Sequence, residues 1–136
     1  MKLFDTHAHY NDNAFDRDRE ALLDALPDAG VGAVVIPGVD VESARSALAL
    51  AESRPWLFAA AGLHPEDCAG CTDKDFDAVR DLCGHEKVVA IGEIGLDYYW
   101  AENPPKEFQQ RVFRRQLQMA LELDLPVIVH DREAHG

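Results

Sequence analysis

The chain has 136 residues, with 13 basic and 25 acidic side chains and a formal net charge of −12 at pH 7. Its 47% hydrophobic and 28% charged residues are the composition of one globular domain, which excludes disorder for most of the chain. No apolar run approaches the ~20 residues of a membrane span, and Asp5 interrupts the start where a signal peptide would carry its apolar core, so a cytoplasmic protein is expected.

The acidity also bears on partners. A sequence-independent duplex binder draws its affinity from clustered Lys and Arg, and the net charge here has the wrong sign. The imbalance lies wholly in residues 1–103, with 8 basic and 20 acidic side chains, whereas residues 104–136 carry 5 of each. Any contact with phosphate must therefore be local or mediated by a bound cation. Three cysteines, Cys68, Cys71 and Cys83, read as free thiols of a reducing compartment.

In chain order, residues 2–7 form an extended apolar run. Residues 15–28 have helical spacing through Phe15, Leu22, Leu23 and Leu26, with Gly30 as the helix stop. Residues 33–37 read as a second strand and residues 42–53, rich in Ala and Leu, as a helix. Residues 57–62 are a third strand, residues 73–83 a helix and residues 88–94 a fourth strand. The longest helix spans residues 104–123, with Phe108, Val112, Leu117, Ala120 and Leu121 near a 3.6-residue period. Residues 126–130 are a fifth strand.

Short continuous apolar strands alternating with helices predict a parallel sheet buried on both faces. A doubly wound sheet would place a Gly-rich loop after the first strand. That loop reads His7, Ala8, His9, Tyr10, Asn11, without glycine. A (β/α)₈ barrel is favoured, of which the chain supplies about four and a half βα units out of the ~250 residues such barrels use.

The chemistry collects at strand ends. His7 and His9 follow the first strand, His64 the third and His130 the fifth, and Glu93 lies within the fourth. In parallel α/β folds those ends share one rim. Alternation along a strand puts Asp5, His7 and His9 on one face, and two imidazoles there form a natural chelate for a divalent cation. A carboxylate such as Glu93, inside so apolar a strand, needs a metal or a buried arginine. His130 suits ligation or a purely structural place equally, and His64, held by Pro65, suits substrate contact or structure equally. Arg132 is either a fork for phosphate or the partner of Asp131 or Glu133. Asp97 and the two tyrosines beside it shape the following loop. A zinc set of Cys68, Cys71, Cys83 and His85 is disfavoured, since a helix over residues 73–83 separates its members by roughly 15 Å. Lys106, Arg111, Arg114 and Arg115 make a solvated helix face.

Four segments in order, Phe4-Asp5-Thr6-His7-Ala8-His9, Gly62-Leu63-His64-Pro65, Gly92-Glu93-Ile94-Gly95-Leu96-Asp97-Tyr98 and Val129-His130-Asp131-Arg132-Glu133-Ala134, together resemble the TatD family of metal-dependent deoxyribonucleases. The resemblance runs from residue 3 to the end of the chain. It implies an amidohydrolase-type TIM barrel, two divalent metal ions (Mg, Mn or Zn) and hydrolysis of DNA phosphodiester bonds by a metal-activated water. By position, His7 and His9 match ligands of one metal, Glu93 a shared ligand with the catalytic part, and His130 a ligand of the second. Glu93 stands where amidohydrolase relatives often carry a carboxylated lysine. Gly136 stands where the family often has an acidic residue. The family takes a further histidine ligand and a metal-binding aspartate from positions past residue 136. Residues 1–136 are thus expected to be the N-terminal part of a single hydrolase domain, with DNA or another phosphodiester as substrate and self-association through exposed barrel edges. Two alternatives stay open: a hydrolase of the same fold acting on another small substrate, and a catalytically silent half-barrel.

Overall fold

A computed structural model describes residues 2–136. Five strands, β1 (Leu3–Asp5), β2 (Val31–Pro37), β3 (Leu57–Ala61), β4 (Val88–Asp97) and β5 (Val127–Arg132), pair in parallel in the order of the chain. The helices α1 (Arg19–Ala25), α2 (Val41–Glu52), α3 (Asp73–Cys83) and α4 (Lys106–Leu123) are the crossovers between them. Sequential parallel order is that of a barrel wall and excludes the doubly wound alternative, whose strand order reverses.

The main core lies between the sheet and the helices. Val34 and Ile36 of β2, Leu57 and Ala59 of β3, and Ile91 and Ile94 of β4 pack there against Leu23, Ala47, Val79, Val112 and Met119. The opposite face, the inner wall of the curled sheet, holds a smaller cluster of Val35, Ala60 and Ala90, flanked by Phe58, Val89 and Ile128. Residues of both faces are therefore apolar, which explains the continuous rather than alternating strand pattern. At the two ends of the sheet this protection fails. Phe4 is 61% exposed on β1 and Val129 is 51% exposed on β5.

Local chemistry sets the element ends. Asp40 caps α2 by accepting the Ser43 N–H at 2.7 Å. The residues 15–28 expected as one helix are divided. A 3₁₀ turn at Asn13–Phe15 precedes α1, because Asp12 accepts the Ala14 N–H (2.7 Å) and Arg19 straps the loop through the carbonyls of Tyr10 (2.6 Å) and Asp12 (2.8 Å). Gly30 does not end α1, which stops at Leu26; with φ of 90° it makes the left-handed turn directly into β2. The first strand also stops sooner than expected, at Asp5, and the helix over Asp73–Cys83 has the bounds expected from the sequence.

One irregularity positions the site. Ile91 pairs with Val127 and Ile94 with Val129, so two residues of β4 oppose one of β5. This bulge sends both isoleucines into the helix-side core and turns Glu93 toward the rim. The Glu93 N–H donates to the Gly38 carbonyl beyond the end of β2, at 2.8 Å. At Gly92 an added Cβ would stand 2.6 Å from that of Ile128. Gly95 has φ of +146°, and a Cβ there would collide with the His130 carbonyl.

Candidate metal centre

Glu93 is the hub of the rim. Its Oε2 lies 3.1 Å from His7 Nε2 and 3.4 Å from His9 Nε2. Its Oε1 lies 3.0 Å from His130 Nδ1 and 3.7 Å from His64 Nε2. Four imidazoles thus surround one carboxylate, two at each oxygen, and no guanidinium is among them. Burial pushes the Glu93 carboxyl up, but the imidazoles of His64 and His9 outweigh it and hold the group well below the usual carboxylate range. In return, Glu93 raises the His9 imidazole against the effect of burial.

His7 and His9 reach this point by a different route from the one their spacing suggested. With β1 ending at Asp5, they lie on a connecting segment rather than on one strand face. Asp5 Oδ1 accepts the His7 N–H at 3.0 Å, and the Ala8 N–H donates to Val35 on β2 at 3.2 Å, so the segment tracks the neighbouring strand. The Nε2 atoms of the two rings stand 3.1 Å apart.

Those three ligand atoms, at mutual separations of 3.1 to 3.4 Å, are spaced like donors sharing one cation at about 2.0–2.2 Å. Hydrogen bonding satisfies them poorly, because two imidazole nitrogens converge on a single oxygen and on each other. The donor set therefore fits a divalent cation held by His7, His9 and Glu93. A second group, His64, Glu93 and His130, has its ligand atoms within 4.8 Å of one another, as does a third, Glu66, Asp97 and His130.

Asp97, assigned only to loop shaping from the sequence, does more. It has no exposed surface, and its Oδ2 lies 2.9 Å from His130 Nε2. Burial raises its carboxyl, and the His130 contact and the Tyr99 N–H bring it to a net position below the ordinary value. An ionised Asp97 only accepts, so with a cation held at Glu93 it would keep the proton on His130 Nε2 and leave Nδ1 as the ligand nitrogen. His64 turns its other nitrogen, Nε2, toward Glu93. Its Nδ1 accepts the Glu66 N–H at 3.2 Å, which leaves Nε2 as the protonated donor aimed into the site. The His64 and His130 rings meet edge to face at 4.3 Å.

Two buried glutamines of α4, seven residues apart and so on one helix face, clamp the strand ends that carry these groups. Gln116 accepts the Leu63 N–H (2.7 Å) and donates to the Leu63 carbonyl (3.1 Å), beside His64. Gln109 accepts the Asp97 N–H (2.8 Å) and donates to the Asp97 carbonyl (2.9 Å). Their signal in the sequence was two amides within an otherwise apolar helix stripe.

The remaining candidates divide. Among the described residues, no ion pair joins Arg132 to Asp131 or Glu133. Its guanidinium lies over the Tyr99 ring at 4.0 Å and 5.1 Å from the centre of the Trp100 ring. Cys68, Cys71 and Cys83 are free and belong to none of the metal-competent groups among the described residues. Arg115 is not merely solvated. It pairs with Asp73 at 2.6 Å and covers the Phe76 ring.

A curled parallel sheet with histidines and a central carboxylate gathered at the carboxyl ends of its strands defines the barrel class of metal-dependent hydrolases. Comparison with known proteins narrows that class. The chain belongs to the family described as TatD related DNase, whose signature matches residues 4–136. It is 42% identical over 132 residues to the metal-dependent hydrolase YabD of Bacillus subtilis, covering 97% of this chain and 51% of that protein. It is 38% identical over 135 residues to the 3'-5' ssDNA/RNA exonuclease TatD of Musicola paradisiaca, covering 98% of this chain and 51% of that protein. The crystal structure of YjjV, a TatD homologue from Escherichia coli, superposes with a TM-score of 0.88 at 39% identity, covering 98% of this chain and 52% of the other. The chain spans about half the length of the curated relatives it matches. Among the described residues no helix is long and apolar enough to cross a membrane.

Proposed function

We propose that residues 1–136 are the N-terminal part of a single metal-dependent hydrolase domain that cleaves phosphodiester bonds of DNA, with single strands as the preferred form. The observation that carries this reading is Glu93, whose two oxygens are each faced by a different pair of histidines. A carboxylate so placed suits a bridge between two cations, one held with His7 and His9 and the other with His130. Divalent cations there supply positive charge to the phosphoryl oxygens and lower the pKa of water.

The chain's own groups do the rest. His7 and His9 present both Nε2 atoms on one side of Glu93. With a cation at Glu93, Asp97 would hold the proton on His130 Nε2 and leave Nδ1 as the ligand nitrogen. His64 offers an N–H to a phosphate oxygen, and Arg132 adds a guanidinium at the rim. The Musicola relative's name, an exonuclease of single-stranded DNA and RNA, supports the same substrate class. An acidic chain holds a polyanion through its cations, in a cytoplasmic setting. The open sheet ends at Phe4 and Val129 support self-association.

The half-length match favours a second reading, in which this chain binds metal but turns nothing over. Assay of the 136-residue chain on single-stranded DNA beside carboxylester, lactone and small phosphoester substrates, with added magnesium, manganese or zinc, separates the two. Preference for DNA, however slow the cleavage, supports the nuclease, preference for a small substrate supports another hydrolase of the same fold, and cation binding with no turnover of any substrate supports the silent form.

A further inference from the structure

We propose that Trp100, with Arg132 and Tyr99 beside it, forms a stacking platform for an unpaired base of a single strand whose phosphodiester lies at the metal centre; this rests on the nuclease reading above. Tyr99 and Trp100 are 53% and 42% exposed. Unlike the other exposed large apolar residues, they belong neither to an open sheet edge nor to α4. They stand on the loop between β4 and α4, at the rim.

That loop is built, not loose. The Tyr98 N–H donates to the Arg132 carbonyl at 2.9 Å, and Asp97 accepts the Tyr99 N–H at 3.0 Å. Asn103 closes the turn with bonds to the Asp97 carbonyl (3.2 Å) and Oδ1 (3.0 Å). The same carboxylate that orients His130 therefore fixes the aromatic pair. Tyr99 and Trp100 meet edge to face at 4.6 Å, with planes 87° apart. Arg132 covers one face of Tyr99 and lies 5.1 Å over Trp100, which leaves the other face of the half-exposed Trp100 ring and the outer face of the guanidinium as flat surfaces for a base.

Charge disfavours the opposite side of the rim for a polyanion more strongly than this one. The open hollow of about 570 Å³ beside His9 is lined by Asp12, Asp40 and Glu42. The β4–β5 side has Lys106 over the Tyr98 ring at 4.5 Å and Arg132, set against Glu102, Asp131 and Glu133. A strand bound at Glu93 thus runs out over the aromatic loop and away from the acidic hollow. Any base has a stacking face, so recognition here requires an unpaired base and no particular sequence.

The test uses the 136-residue chain, a tetrathymidylate with hydrolysis-resistant phosphorothioate linkages, and the same backbone without bases, followed by tryptophan emission and anisotropy in manganese and in EDTA. The base-bearing strand is expected to bind about ten-fold tighter than the abasic one and to quench emission. Trp100→Ala should abolish the difference and Trp100→Phe should restore it. Equal affinity for the two strands, or binding of neither, overturns the platform. Failure of the metal-centre reading is seen separately, as wild-type chain that gives no heat on titration with manganese or zinc while base-dependent binding in EDTA persists.

Discussion

Asp97 Oδ2 and His130 Nε2 lie 2.9 Å apart, and the other nitrogen of that ring stands 3.0 Å from Glu93. One imidazole therefore spans two carboxylates, and the deeper one decides which nitrogen is free for a cation. Outer partners of this kind typically matter by about 10- to 100-fold in metal affinity. Asp97→Asn keeps the shape but offers an N–H or a weaker acceptor to Nε2. Calorimetric titration with manganese or zinc should show a loss in that range with an unchanged far-UV spectrum, and wild-type affinity would remove Asp97 from the site.

His7→Ala and His9→Ala should each weaken cation binding, since their Nε2 atoms, 3.1 Å apart, are close enough to share one cation. Glu93→Gln removes the charge on which all four imidazoles converge. Hydrolysis by a full-length relative carrying the matching change should fall by orders of magnitude while the fold survives. A variant still active at ordinary metal concentration would leave Glu93 with only a structural place.

Gln109 and Gln116 test how the rim is held. Replacing Gln116 with Leu leaves the N–H and carbonyl of Leu63 without partners, and replacing Gln109 with Leu orphans the Asp97 N–H while the Asp97 carbonyl keeps Asn103, at about 1–3 kcal/mol for each orphaned group. Urea unfolding should show that loss for both variants. Gln109→Leu should also weaken cation binding, because it loosens Asp97. Unchanged unfolding midpoints would mean that water replaces the amides.

Burial pushes the Cys68 thiol up to about 12 and Cys83 up to about 11. Cys71 is raised too, by burial and then by Asp75. A raised thiol pKa lowers the thiolate fraction at any pH below it, and the thiolate is the nucleophile. At pH 8 iodoacetamide should therefore label the folded chain slowly. The unfolded chain, with thiols near about 8.5, should be labelled quickly at the same pH. Mass spectrometry distinguishes the two, and rapid labelling of folded Cys68 would contradict its burial.

The open ends of the sheet predict association. Phe4 on β1 and Val129 on β5 are more than half exposed on strands that lack one neighbour each, and such edges recruit other chains. Light scattering on the 136-residue chain should give a mass above that of a monomer, reduced by Phe4→Lys and Val129→Lys. The same preparation should cleave DNA far below an enzyme-like rate. A monodisperse, fully active monomer would overturn both expectations.

Much of this was legible in the residues. Continuous apolar strands alternating with helices led to the parallel sheet, and His7, His9, His64, Glu93 and His130 already lay at strand ends that such a sheet brings to one rim. Other features depend on distance along the chain. Asp97 meets His130 33 residues later, and Gln116 meets Leu63 53 residues earlier, so neither pairing has a local pattern. The division of the expected helix at residues 15–28 arises from Arg19 bonding carbonyls in the preceding loop, a competition that apolar spacing does not report. The bulge that turns Glu93 inward was hinted at only by Gly92 beside it.

The strand order has a consequence for how the site comes into being. Each strand docks on the one made just before it, so the sheet can be laid down from its N-terminal end as the chain emerges during synthesis. His7 and Glu93 do not meet through that process, because β2 and β3 stand between their strands. Their contact closes only when the sheet bends enough to bring its first and fourth strands together at the rim. Cation capture is thereby a gauge of curvature: a chain with every helix and strand in place but a flatter sheet would match the native far-UV spectrum and still fail to hold the ion.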